Sequence, residues 1–165
     1  KTVGFLSLKH AAMSCGMGEI GKNNLLLTPE FGPHQRLCAI VTEAQLEPDA
    51  KPDFDLCKGC NKCADACPVK ALPYGAPDVS TQTSSIKGVR KWTSDAKKCF
   101  GFWAKMSTDC AICMRVCPFN RDFTKWQHKI WLKLALSPLR KVALWLDKHR
   151  GARVKPAEWW AKDMK

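Results

Sequence analysis

The chain has 165 residues, a formal net charge of +12 and ten cysteines. That length suits one modest domain or two small ones, and no run of about twenty apolar residues is present to span a bilayer. The charge favours a negatively charged partner, whether nucleic acid, an anionic membrane face or an acidic redox protein, although a merely well-solvated basic surface is an equal alternative.

Residues 1–50 open in mid-pattern, with Val3, Phe5, Leu6 and Leu8 and no signal peptide, so we expect a piece of a longer protein. Ala11 to Gly21 is small and glycine-rich, as a close-packed turn region requires, and matches neither a Walker pattern nor a dinucleotide fingerprint. Leu25–Thr28 reads as a short buried strand, Pro29–Pro33 as a turn, and Leu37–Thr42 as a second strand. Cys15 and Cys38 read as packing residues, because free cysteine is usually buried. His10 and His34 lack a partner at metal-ligand spacing.

Residues 51–120 hold the chemistry. Cys57, Cys60 and Cys63 stand three apart and are followed by Cys67-Pro68. Cys110, Cys113 and Cys117-Pro118 repeat the theme, with Cys99 upstream. Three thiolates at that spacing wrap one face of a cubane iron–sulfur cluster, while the cysteine before the proline reaches the other cluster. The spacing assigns Cys57, Cys60, Cys63 and Cys117 to one [4Fe-4S] cluster and Cys67, Cys110 and Cys113 to a second, completed by Cys99. A zinc site would show two cysteine pairs without the Cys-Pro endings, and disulfides are disfavoured by the short spacing. Short helical turns are expected after each Cys-Pro. Pro73 to Asp95 reads as a surface excursion pinned by Ile86, Val89 and Trp92. Phe100, Phe102 and Trp103 are expected to form a dry wall beside a cluster, alongside ordinary core packing.

In residues 121–165, Trp126, Ile130, Trp131, Leu134 and Ala135 recur at helical spacing, Pro138 interrupts, and Val142 to Leu146 resume. Two basic amphipathic helices follow from this. They dock on their own domain in the ordinary reading and touch a membrane surface in the sharper one. Arg153 to Lys165 reads as weakly ordered apart from Trp159 and Trp160.

Gly18-Glu-Ile-Gly-Lys-Asn23, Leu27-Thr-Pro-Glu-Phe-Gly-Pro33, the first cysteine run, Cys99-Phe-Gly-Phe-Trp103 and Asp109 to Asn120 together resemble a reductive dehalogenase. Epoxyqueuosine reductase is the more distant resemblance. The dehalogenase resemblance implies an α+β chain: residues 1–50 ending a nitroreductase-like corrinoid-binding domain, 51–120 a ferredoxin-like module with two [4Fe-4S] clusters, and 121–165 a basic helical extension. It implies an oxidoreductase in which electrons pass through both clusters to a corrinoid (cobalamin) that replaces halogen by hydrogen on an organohalide. A tyrosine supported by a basic residue supplies the proton in that family. The only tyrosine here, Tyr74, follows the first run, so the catalytic tyrosine is expected upstream of Lys1, and Lys22 is the candidate basic partner. An electron donor protein or quinol-linked chain and a small membrane anchor protein are the implied partners, with nucleic acid not favoured. The implied location is the outer face of the cytoplasmic membrane, with the cytoplasm as alternative. The competing functions are a free two-cluster ferredoxin-like carrier and a tRNA-modifying reductase, and the piece alone is expected to be inactive.

Overall fold

The computed structural model describes residues 6–47, 49–50, 55–79, 87–107 and 109–149. Helix α1 (Leu8–Ser14) buries Ala12 against a two-stranded antiparallel ribbon, β1 (Glu19–Ile20) and β2 (Leu26–Leu27). Glu19 faces Leu27 across the ribbon and Ile20 faces Leu26, and both leucines are buried. The glycine-rich turn is as tight as its composition requires: a Cβ at Gly18 would lie 2.1 Å from the Leu27 carbonyl oxygen, so only hydrogen fits there. The expected turn over 29–33 is closed by two hydrogen bonds between Thr28 and Gly32, at 3.0 and 2.9 Å.

Two expectations for this region fail. Leu37–Thr42 forms no strand: it runs as irregular chain, with Ile40 87% and Val41 99% exposed. A β-branched run becomes a strand only against a neighbour; Leu37 packs on Ala12, Ile20 and Leu26, and among the described residues no strand pairs with the run. Cys15 and Cys38 are exposed instead of packed. Cys15 caps the C-terminus of α1, and Cys38 belongs to the same uncovered run, so neither has apolar surface to sink into.

The two cysteine runs fold alike. Helix α2 (Lys62–Ala66) buries Cys63 and Ala64, and α4 (Ile112–Arg115) buries Ile112 and packs against it. After each Cys-Pro the chain makes a single turn and not a helix, with Lys70 N–H donating to Cys67 O at 3.2 Å and Asn120 N–H to Cys117 O at 3.0 Å. The first turn ends because Lys70 adopts left-handed φ, where a helix cannot continue. Between the runs, β3 (Asp78–Val79) pairs with β4 (Arg90–Lys91). Trp92 is buried and donates its indole N–H to the Gly75 carbonyl at 2.9 Å, and Val89 is half-buried. Ile86 lies outside the described residues.

Helix α3 (Ala96–Met106) starts where the Asp95 carboxylate accepts the Lys98 N–H at 3.1 Å, and stops at left-handed Ser107. Its buried side carries Phe102. Phe100 and Trp103 correct the expected wall, since they are 70% and 38% exposed. Phe100 lies about 100° round the helix from Cys99, too far to share its inward face.

The paired C-terminal helices are present as read: α5 (Trp126–Leu136) and α6 (Arg140–His149) flank Pro138. Trp131 and Ala135 are buried against Phe119 and Phe123. The Trp131 ring meets Phe119 edge-on at 5.4 Å, stacks on Phe123 at 6.4 Å, and carries the Arg121 guanidinium 4.4 Å above it. Asp147 on α6 accepts from Lys62 at 2.6 Å and also pairs with buried Arg121, whose Nε–H donates to Pro118 O at 2.9 Å. The stretch from Arg153, with Trp159 and Trp160, lies outside the described residues. No helix among the described residues is long and apolar enough to cross a membrane.

Candidate metal centres

One enclosed cavity is lined by Cys57, Cys60, Cys63 and Cys117, together with Asn23, Leu27, Leu56, Pro118 and Phe119. Leu27, Leu56 and Phe119 are also the largest of the fully buried side chains, so this pocket is walled by the driest part of the molecule. Gly32 holds the wall together: at φ +58° its Cα lies so close to Phe119 that a Cβ would sit 1.8 Å from the Phe119 carbonyl oxygen.

The thiols respond to that dryness. Burial pushes Cys57 up to about 12, against the backbone N–H of Lys22, which donates to Cys57 Sγ at 3.2 Å. Burial likewise lifts Cys63 to about 11, and lifts Cys117 furthest, with the neighbouring Cys57, Cys60 and Cys63 thiolates adding to the effect. Thiols in so apolar a place ionise only when a cation compensates the charge, as iron does on binding. The residues therefore fit a cluster: four sulfurs, an N–H donor to one of them, and water excluded.

Cys67, Cys99, Cys110 and Cys113 form the other group. Cys67 Sγ accepts the Ala71 N–H at 3.2 Å. Burial raises Cys99 and Cys110, and the Cys67 thiolate raises both further. Burial carries Cys113 to about 12, with Cys63, Cys110 and Cys99 as charged neighbours. The structure thus brings Cys99, delivered by α3 from outside either run, beside Cys67, Cys110 and Cys113. The walls here are the smaller Ala64, Ala71, Leu72, Ile112 and Val116. Cys63 and Cys113 mark where the two groups approach. Among the described residues no three His, Cys, Asp or Glu side chains stand close enough to ligate a single ion.

Lys22 is buried beside the first group. Its ammonium donates to the Cys60 carbonyl at 3.1 Å and to Asn61 Oδ1 at 2.7 Å, with the Trp92 ring centroid 5.6 Å away. Tyr74 stands apart on the surface, its hydroxyl donating to Asp65 at 3.1 Å. The sequence reading missed Glu19. Its carboxylate accepts the Leu56 N–H at 2.7 Å, next to Cys57, and burial raises it to about 7. It also missed Arg140, which reaches from α6 to the Asp55 carbonyl at 2.9 Å and to the Leu56 carbonyl. Nothing local in the sequence signals either residue, because their partners lie 37 and 84 positions away.

This is an iron–sulfur binding region of the two-cluster class. Residues 56–120 match the 4Fe-4S double cluster binding domain family. The chain is 35% identical over 127 residues to a tetrachloroethene reductive dehalogenase of Desulfitobacterium hafniense, covering 72% of this chain and 23% of that protein. It is 34% identical over 125 residues to the epoxyqueuosine reductase of Listeria monocytogenes, covering 72% of this chain and 31% of that one. Among solved structures, the catabolic reductive dehalogenase NpRdhA in complex with 3-bromo-4-hydroxybenzoic acid superposes with a TM-score of 0.73 at 26% identity, over 86% of this chain and 21% of that chain. The chain is thus similar to reductive dehalogenases in sequence and in fold, and more weakly to epoxyqueuosine reductases. It spans about a quarter of the length of the dehalogenases it matches.

Proposed function

We propose that this chain is the electron-transfer portion of a corrinoid-dependent reductive dehalogenase. Cys57, Cys60, Cys63 and Cys117 hold one [4Fe-4S] cluster, and Cys67, Cys99, Cys110 and Cys113 hold the other. Bound clusters supply one-electron storage at two adjacent points. The chain's own residues exclude water around the first group through Leu27, Leu56 and Phe119, and direct backbone N–H groups at Cys57 and Cys67. The observation that supports the reading is one dry cavity lined by Cys57, Cys60 and Cys63 from the first run and Cys117 from the second. In the whole protein, residues 1–50 would complete a nitroreductase-like corrinoid domain, an organohalide would be the substrate, and Lys22 would support the proton donor. We place that protein at the membrane, with a small anchor protein and an electron donor as partners.

The test is anaerobic reconstitution followed by iron and sulfide analysis. About eight of each per chain are expected; about four, or tightly bound zinc, would overturn the assignment. The second reading, a tRNA-modifying reductase, rests on the epoxyqueuosine reductase similarity and the +12 charge. Binding of tRNA that weakens steeply with salt would favour it.

A further inference from the structure

We propose that the solvent face of α3 is the docking surface for an acidic one-electron carrier protein, which delivers electrons to the Cys67, Cys99, Cys110 and Cys113 group. The inference rests on the electron-transfer reading above and adds where and from what kind of partner the electron arrives.

Three observations carry it. First, the two cysteine groups are walled differently. The Cys57 group lies under Leu27, Leu56 and Phe119, all essentially inaccessible, whereas the other group is closed on one side by α3 itself, which supplies Cys99. Cys99 itself is only half-buried, so this group approaches solvent at the flank of α3. Second, the outer face of that helix is apolar where a soluble surface has no need to be. Phe100 and Trp103 are exposed about 60° apart on the flank of the helix next to Cys99. Third, the rim is basic. Lys97, Lys98 and Lys105 are exposed on the same helix, and the one acid beside them, Asp95, is engaged as the helix cap and in a 3.7 Å pair with Lys98. An aromatic patch beside Cys99 with lysines along its other edge complements a carrier whose own redox centre is flanked by carboxylates.

The transfer is simple in its balance. With a cluster bound, Cys67, Cys99, Cys110 and Cys113 would hold the acceptor for the one electron that the reduced carrier gives up. No bond forms or breaks and no proton moves. The lysines steer the approach of the carrier, so their effect falls on association and fades with salt.

The test uses the cluster-loaded 165-residue chain and two probes: an acidic [2Fe-2S] ferredoxin reduced in advance, and dithionite. Calorimetry at low ionic strength reads ferredoxin binding, and stopped-flow absorbance reads the reduction rate. Lys97→Glu with Lys105→Glu reverses two charges and leaves the Lys98–Asp95 pair in place. Binding and ferredoxin-driven reduction are expected to fall about tenfold or more, and the difference from wild type should vanish at high salt. Lys129→Glu with Lys133→Glu changes net charge equally on α5 and should leave both unchanged. Phe100→Ser should weaken binding at all salt concentrations. Equal binding in wild type and the α3 variant, or equal losses from the α5 variant, would overturn the proposal. Dithionite must reduce every variant at the wild-type rate. Its failure to reduce the wild-type clusters would instead sink the electron-transfer reading.

Discussion

Asp147 on α6 accepts a hydrogen bond from Lys62 on α2 at 2.6 Å, across 85 positions of sequence, while also pairing with Arg121. This carboxylate ties the C-terminal helix to both cysteine runs, because Lys62 stands between Cys60 and Cys63 and Arg121 follows Cys117-Pro118. Removing it takes the charged partner from a nearly inaccessible guanidinium, which keeps its Pro118 carbonyl and Trp131 ring contacts. Asp147→Ala is therefore expected to cost about 2–3 kcal/mol, below the full value for a buried pair because Lys62 is partly exposed. The melting temperature under argon should drop by roughly 5–10 °C. An unchanged melting curve would show that α6 adds nothing to the cluster module.

The cysteines separate by environment. With clusters bound, iodoacetamide should modify Cys15 and Cys38, both exposed, and spare the other eight. After iron is chelated, peptide mass spectrometry should find all ten modified in denaturant. Cys99→Ala should lose about half the iron, whereas Cys15→Ala and Cys38→Ala should lose none. Full iron retention in the Cys99 variant would remove that residue from the ligand set.

Lys22 offers a charge as well as two hydrogen bonds. Lys22→Met keeps the backbone N–H to Cys57 and most of the side-chain volume, yet leaves Cys60 O and Asn61 Oδ1 without their donor. The loss of a buried cation should move the reduction potential of one cluster negative by roughly several tens of millivolts. The other cluster should hold its value in the same redox titration. In a longer protein carrying the corrinoid domain, the same variant should also lower turnover about tenfold or more if the lysine supports the proton donor. Unchanged potentials and turnover would reduce Lys22 to a packing role.

Glu19 sets a pH dependence of unusual sign. Burial raises its carboxyl from 4.5 to about 7, so the folded chain holds this proton more tightly than the unfolded chain. Stability from this group is complete below about pH 4.5 and declines as pH rises to about 7. Allowing for its partial exposure, about 2 kcal/mol is at stake. Glu19→Gln retains an acceptor for the Leu56 N–H without the charge. It should melt higher than wild type at pH 8 and match it at pH 4.5, and a parallel pair of pH profiles would exclude Glu19 as the cause.

The α5–α6 hairpin exposes Trp126, Ile130 and Trp145 among Lys129, Lys133 and Lys141. A membrane-surface role predicts sedimentation with phosphatidylglycerol vesicles and about tenfold weaker binding between low salt and ~0.15 M salt. Equal binding to neutral vesicles, or none to either, would leave only the docking of Trp131 and Ala135 on Phe119 and Phe123.

What could be read in advance follows the range of the interactions. Cysteine spacing is local chemistry, so both runs were visible, and Cys57, Cys60, Cys63 and Cys117 line one cavity. The helices flanking Pro138 were visible because Trp131 and Ala135 recur with the helical period. Leu37–Thr42 misled because β propensity reports a fit to a neighbouring strand, and Ile40 and Val41 have none among the described residues. Phe100 misled because adjacency to Cys99 along the chain is divergence around a helix. Glu19, Arg140 and Asp147 gave no sign at all, since an ion pair or a backbone contact across dozens of residues leaves no periodic trace.

The exposed run from Cys38 to Thr42 has a practical consequence for handling the protein. Its β-branched side chains are bare, and among the described residues its backbone amides and carbonyls join no ladder. Such a segment is a template for intermolecular strand addition, and it carries no charge or proline to discourage it. Concentrated preparations should scatter light increasingly with time while their clusters remain intact, because the seed of association contains none of the candidate ligands. A lysine in place of Val41, a side chain with nothing packed on it, is the natural gatekeeper: it should slow the rise in turbidity several-fold without altering the visible absorption of the clusters.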